Sequence, residues 1–552
     1  MSELDEFIPR AATRQLGLVT SGALSKGLEV KLDASSSVEE VAVGRYVIIE
    51  GRDLKFFGMI TDVALDNTNP LFEKTPPDVS DPFLREVYAG ISTFGRIHVS
   101  PMLIIDENED EPRPVKTIPD HFALVRVATE EDVNQVFGAE DREHFHIGEP
   151  LDMEDVRVNI DLSRMVERSV GVFGKTGTGK SFLTRLLLAG VIKNDIAVVL
   201  IFDMHNDYGW AAQSENRTEV KGLGQLFQHQ QKVAIFTLDE ESSQRRRAVY
   251  DFAVKLKWTD ILPEDMETLR ATLNLSDNMI GAAYTLYREW GRNWIREFLE
   301  ADADTLKQLA ENTSVSRSSL DALSRRLERL EKFDFIMDEW PDDSAQRILE
   351  YLDGSKSVVL EFGRYGNSLT AYMLVANYLT RRIHSMYVNK VEQALGKGGD
   401  KPPQLMIVIE EAHKFLDPQV ASQTIFGMIA RELRKYNVTL LIVDQRPSGI
   451  DEEIMSQVGT RVTALLDNEK DISAVFTGVS GAGALREVLA RLDTKQQALI
   501  MGHAVPMPVV IQTRTYDQEF YTAMGFQDKE TLSANRATRV SMLRGEEEDG
   551  ID

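Results

Sequence analysis

Residues 174–181 read GKTGTGKS, which fills every position of the pattern G-x-x-x-x-G-K-[ST]. Gly174, Gly177 and Gly179 open backbone conformations that side chains forbid and turn N–H groups onto phosphate oxygens, with Lys175, Thr176 and Thr178 completing the loop. Lys180, at the start of the following helix, neutralises the β and γ phosphates of a nucleotide, and the Ser181 hydroxyl reaches Mg²⁺. A β-like stretch at 169–173 precedes the loop and SFLTRLLLAGVIK (181–193) follows as an amphipathic helix, the context this motif needs. The chemistry expected is ATP binding with Mg²⁺ and phosphoryl transfer.

Hydrolysis needs acids near that loop. LMIVIEEAH (405–413) sets Glu410 and Glu411 at the C-terminal end of an apolar strand, where α/β sheets gather their sites. Glu410 is assigned to the metal shell through water, and Glu411 to orienting or deprotonating the attacking water. AVVLIFD (197–203) ends in Asp203, a second Mg²⁺ partner or a strand-exit cap. Gln445, in LLIVDQRPS, is a γ-phosphate sensor or a turn residue before Pro447. IARELRKYN (429–437) reads as a helix closed by Asn437, with Arg431, Arg434 and Lys435 on one face. That face is a source of an arginine finger or a solvated basic stripe.

These residues need a scaffold. From about residue 151, strands at 169–173, 197–203, 232–238, 357–363, 404–413, 438–448, 461–467 and 497–502 alternate with helices, which implies an α/β fold with a parallel sheet. Residues 241–352 interrupt the alternation as a helical insertion. It contains the long helical stretch 282–300, and Leu320, Leu323, Leu327 and Leu330 at heptad spacing read as a coiled-coil or oligomer contact or, the pattern being only about two heptads long, as the buried stripe of an ordinary helix, which is the reading preferred. A helix at 369–389 leads into a loop at 389–403. The core is therefore expected in two parts, 151–240 and 353–515. Residues 1–150 read as a small β-barrel, with a hairpin turning at Gly51-Arg52-Asp53. The HFH triplet at 144–146 reads as a strand or turn, and 516–552 as a C-terminal helix with an acidic tail.

The 552 residues hold 62 Lys and Arg against 88 Asp and Glu, a net charge of −26, so any contact with nucleic acid must be a local basic lining. The chain has no cysteine, which excludes disulfides and thiolate zinc sites. Its apolar runs are too short to span a bilayer and its N-terminus lacks a signal-peptide pattern, so a cytoplasmic location is expected.

An N-terminal β domain, GKTGTGKS, FDMHNDYG (202–209), VIEEAHKFL (408–416), RELRKYN (431–437) and LLIVDQRPSGI (440–450) follow one another in this order. Over about residues 14–515 the chain resembles the HerA-type hexameric DNA-translocating ATPases of the HerA–FtsK group. The resemblance implies a RecA-like core in a homohexameric ring with ATP at subunit interfaces. Lys180 and Ser181 match its Walker A positions, Asp203, Glu410 and Glu411 its acids, Gln445 its polar residue before RPS, and Arg431 and Arg434 its basic pair. Arg168 and Lys414 are further trans-acting candidates, and the stretch from about 490 to Arg514 would brace a neighbouring subunit. Asn206-Asp207 stands where Gly-Glu is common, and Leu433 and Asn437 where Gly is usual. The function implied is translocation of double-stranded DNA through a pore, feeding a NurA-type nuclease in DNA end processing or a defence effector against phage. Arg217, Lys221 and Arg364 are candidate pore residues. The alternative is an ATP-binding scaffold that regulates an effector without moving DNA.

Overall fold

The computed structural model describes residues 15–526, apart from 70, 76–79, 81–82, 84–87, 89–91, 107–108, 110–111, 152, 154–155, 211, 214–218, 314, 398–399, 433–434, 480–481 and 494–495. The chain divides into two compact units. One comprises the chain up to Leu183 together with Asp444–Arg514, and the other Thr184–Val443 with the chain from Thr515.

The first unit opens with the expected barrel. Strands Gln15–Ala23, Gly27–Leu32, Tyr46–Glu50, Lys55–Asn67, Thr93–Ile105 and Leu124–Val127 pair antiparallel, and Gly27–Leu32 closes the ring by bonding both Gln15–Ala23 and Thr93–Ile105. Alternation explains the core, since Leu28, Val30 and Leu32 point in with Val47, Ile49 and Val125. Register shifts at Val19/Ser21 and Ile60/Asp62 bend the long strands around the barrel. The hairpin over 51–54 is present, closed by Gly51 N–H to Leu54 C=O at 2.9 Å.

A second sheet of this unit runs Val170–Phe173, Thr460–Thr463, Gln497–Gly502, Val509–Thr513, His144–Pro150, Val158–Asp161. Only its first pair is parallel. The parallel expectation fails from Gln497 onward: Gln497–Gly502 runs antiparallel to Thr460–Thr463, although helices connect the two, and a short hairpin then joins it to Val509–Thr513. Residues 144–150 lie in this sheet, paired with Val509–Thr513, and not in the barrel.

The second unit holds strands Phe252–Ala253, Val233–Thr237, Ser357–Glu361, Val198–Asp203, Leu405–Glu410 and Val438–Asp444, all parallel. The last four are buried at every position, as strands covered on both faces must be. The helix expected to end near 389 runs from Leu369 to Lys397, because VEQALGK favours helix and Val391 is buried. Between Thr237 and Ser357 the insertion packs helices around Trp294, whose indole N–H meets the Ile261 carbonyl at 2.9 Å. Leu320, Leu323, Leu327 and Leu330 are buried within it. The stretch 282–300 is two helices, Asp277–Trp290 and Trp294–Glu300, because Gly291 adopts φ +60 and caps the first. Asp265 ties the insertion to the long helix through Arg381 and Asn377.

Candidate active site

Phosphate loop. The buried strand Val170–Phe173 delivers the chain into the loop, and the helix starts at Lys180. Gly177 and Gly179 adopt φ +81 and +90, a region where an L side chain is strained. The loop braces itself on one carbonyl. Lys175 C=O accepts from the Thr178 hydroxyl at 2.7 Å and from the Lys180 ammonium at 3.0 Å. Lys175 itself pairs with Asp467, holding that carboxyl below the usual range. The Thr176 hydroxyl donates to Gln445 Oε1 at 2.6 Å, so Gln445 is brought onto the loop rather than left in the turn before Pro447. The helix is not amphipathic as expected. It is buried from Leu183 to Ile192, and this carries Arg185 inside.

Carboxylate row. Asp203 pairs in register with Glu361, and Ile201 with Val408, which sets Glu410 on the level of Asp203. Three acids thus end three neighbouring strands. Asp203, fully buried, takes backbone N–H groups from Asp207 at 2.8 Å, Tyr208 at 2.8 Å and Gly209 at 3.1 Å. These three bonds are those of a strand-exit cap. Glu410 is held by two tyrosines. The Tyr372 hydroxyl accepts from its N–H and donates to its C=O, each at 3.0 Å, and the Tyr208 hydroxyl donates to Oε1 at 3.0 Å. Oε2 is buried and, among the described residues, has no hydrogen-bond partner. Glu411 lies in the left-handed region at φ +47, rare and strained for a side chain that long, and is 30% exposed with His413 Nδ1 at 3.7 Å.

Burial, together with the charges of Glu410 and Glu361, pushes the Asp203 carboxyl up to about 8. Burial raises Glu410 to about 7 against the opposing bond from Tyr208. Both carboxyls hold a proton more tightly folded than unfolded, where a carboxyl titrates at about 4. Their stabilising contribution is complete below that value and is lost as pH rises through about 7 and 8. Nucleotide- and magnesium-free protein is therefore expected to melt at a higher temperature at about pH 6 than at about pH 9. Calorimetric scans across that window check it, and a melting temperature that climbs with pH contradicts it.

Sequence reading missed Glu361, whose Oε2 pairs with Arg246 and whose Oε1 is buried without a partner among the described residues. The signal was available: SVVLE ends an apolar run in an acid, as AVVLIFD does. Tyr208, Tyr372 and Arg185 carried no signal, because only the packing brings them to Glu410.

The basic candidates fare differently. The helix over 425–432 ends at Glu432 and Lys435 lies in a turn, so the single helical face for Arg431 and Lys435 is not formed. The Lys435 ammonium sits over the Tyr436 ring, 4.9 Å from its centroid. Arg434 and Arg217 lie outside the described residues, as does the acidic tail beyond Phe526. Arg364 pairs with Glu241 and Asp334, and the Lys221 ammonium sits 4.2 Å from the Phe526 ring centroid. Arg168 is half-buried and Lys414 exposed.

A family model described as "Helicase HerA, central domain" matches residues 145–383, and one described as "HAS barrel domain" matches residues 16–93, which hold the first four of the six barrel strands. Over these segments the chain is similar to the HerA-type P-loop ATPases. It is 25% identical over 525 residues to the DNA double-strand break repair helicase HerA of Sulfurisphaera tokodaii, covering 91% of this chain and 93% of that protein. It is 26% identical to the protein of the same description from Sulfolobus acidocaldarius, covering 87% and 90%. Among solved structures, the plasmid coupling protein TrwB in complex with ADP and Mg2+ has 12% identity and a TM-score of 0.45, covering 74% of this chain and 95% of that one.

Two departures of this chain from the HerA-type pattern have a physical account. Asn206 and Asn437, standing where Gly is common or usual, adopt φ +58 and +57. Asn is the residue after Gly that best tolerates that region. Asn206 adds a bond no Gly makes, its Oδ1 accepting from Gly363 N–H at 2.9 Å.

Proposed function

We propose that this chain is an ATP-driven motor on double-stranded DNA, acting as a homohexameric ring that feeds a partner nuclease of NurA type or a defence effector. The observation that carries the catalytic part is the Glu410–Glu411 pair at a buried strand end. The first acid is sealed in with one unclaimed oxygen, and the second is swung out by a left-handed backbone and is partly exposed. The DNA part rests on the relatives, described as DNA double-strand break repair helicases. No helix among the described residues is long and apolar enough to cross a membrane.

The residues fit ATP with Mg²⁺. The loop at 174–181 has the glycine conformations and the lysine that a triphosphate needs, and the buried Glu410 Oε2 is an acceptor awaiting a donor. Lys180 and the loop amides would hold the phosphates, and Ser181, Glu410 and Asp203 the metal and its waters. Bound there, ATP·Mg²⁺ would supply the phosphoryl group and neutralise its charge. Glu411 would orient the attacking water and accept its proton, Gln445 would report on the γ-phosphate through Thr176, and Arg431 and Arg434 would act across a subunit interface.

The test is ATP turnover with and without linear duplex DNA. At least severalfold stimulation is expected, absent in Lys180→Ala. Turnover indifferent to DNA but altered by a co-purifying protein would instead favour the scaffold reading. Mass measured in Mg-ATP checks the ring, and a wholly monomeric sample removes the trans-acting arginines from the scheme.

A further inference from the structure

We propose that Tyr208 is a positioning residue that holds one oxygen of the Glu410 carboxylate, so that Oε2 alone faces a metal-bound water. This rests on the ATPase reading above and assigns part of its metal shell. A carboxylate has two equivalent oxygens and a soft terminal torsion, so nothing in Glu410 itself selects which one turns toward a ligand. Tyr208 breaks the equivalence. It is fully buried and its hydroxyl donates to Oε1 at 3.0 Å. Its backbone is fixed by N–H donation to Asp203 Oδ2 at 2.8 Å. Its ring is backed by Arg185, whose guanidinium carbon lies 5.8 Å from the ring centroid and whose Nε and Nη2 donate to the neighbouring Asp207 carbonyl at 3.0 and 2.6 Å. The Asp203 cap therefore has a second use: it places Tyr208. Tyr372 bonds the same glutamate only through its backbone, and leaves the choice of carboxylate oxygen to Tyr208. Partners behind a ligand that fix its orientation are typically worth about 10–100-fold in metal affinity or activity.

The experiment compares Tyr208→Phe with Tyr372→Phe in the full chain. Mn²⁺ binding in the presence of ADP, followed by electron paramagnetic resonance, reads the metal site without turnover. Melting temperature reads the fold, and kcat and KM for ATP read catalysis. Tyr208→Phe is expected to weaken Mn²⁺ binding by about tenfold and to lower kcat by a similar factor, with KM within about twofold at saturating metal. Tyr372→Phe is expected to lower the melting temperature to a similar extent with a smaller loss of Mn²⁺ affinity. Wild-type Mn²⁺ affinity in Tyr208→Phe overturns the proposal. So does an equal loss of affinity in both variants, which would mark a general effect of the buried hydroxyls. The ATPase reading fails on a separate result, absence of turnover in wild-type protein, and the metal-binding comparison stands apart from it.

Discussion

Glu411→Gln is expected to lower ATP turnover by about 10²–10⁴-fold while leaving nucleotide affinity within about twofold of wild type. Glutamine keeps the size and hydrogen-bonding reach of the side chain but cannot accept a proton. Glu410 is no substitute as a base, because its strand position buries it and Tyr208 and Tyr372 fix both its carboxylate and its backbone. Glu411 is placed differently: its backbone turns at φ +47 and its side chain is 30% exposed. Single-turnover hydrolysis together with binding of a fluorescent ATP analogue separates the two quantities. Turnover within tenfold of wild type would remove Glu411 as the base.

Lys180→Ala is expected to lower kcat/KM for ATP by about 10³-fold or more, with nucleotide affinity falling as well. Two losses combine. One is the charge facing the phosphates, which no neighbour replaces because Lys175, five residues away, is paired with Asp467. The other is the loop's own brace, since the Lys180 ammonium lies 3.0 Å from the Lys175 carbonyl. Lys180→Arg tests the split between them, as it keeps the charge but presents a planar group in place of the compact ammonium. Binding of the fluorescent analogue is expected to fall in Lys180→Ala and to persist in Glu411→Gln. A Lys180→Ala protein that binds and hydrolyses ATP normally would remove the phosphate loop from the active site.

Local chemistry in this chain was legible without coordinates wherever a residue's role follows from its immediate neighbours in sequence. GKTGTGKS dictates its own loop, because only glycine relaxes at the angles Gly177 and Gly179 adopt. Apolar runs ending in Asp203 and Glu410 are buried strands delivering acids, and the stretches flanking the Gly51-Arg52-Asp53 turn are barrel strands. Helix ends were harder to read. The stretch 282–300 breaks at one glycine, while 389–397 stays helical because most of its residues favour helix and Val391 is buried.

The glycine-rich loop, the strands that carry acids and the barrel-plus-α/β class follow from local residue patterns. That Gln445 meets Thr176 and that Asp203 caps the loop bearing Tyr208 follows from the folded chain. The same holds for Glu361, which completes a row of three acids, and for Glu410, whose Oε2 has no hydrogen-bond partner among the described residues. Those contacts join residues up to 269 positions apart in the chain. Periodicity and spacing describe what a segment does to its own backbone. The register of a parallel sheet is fixed by crossovers and packing, so which side chains share a level is a property of the assembled core.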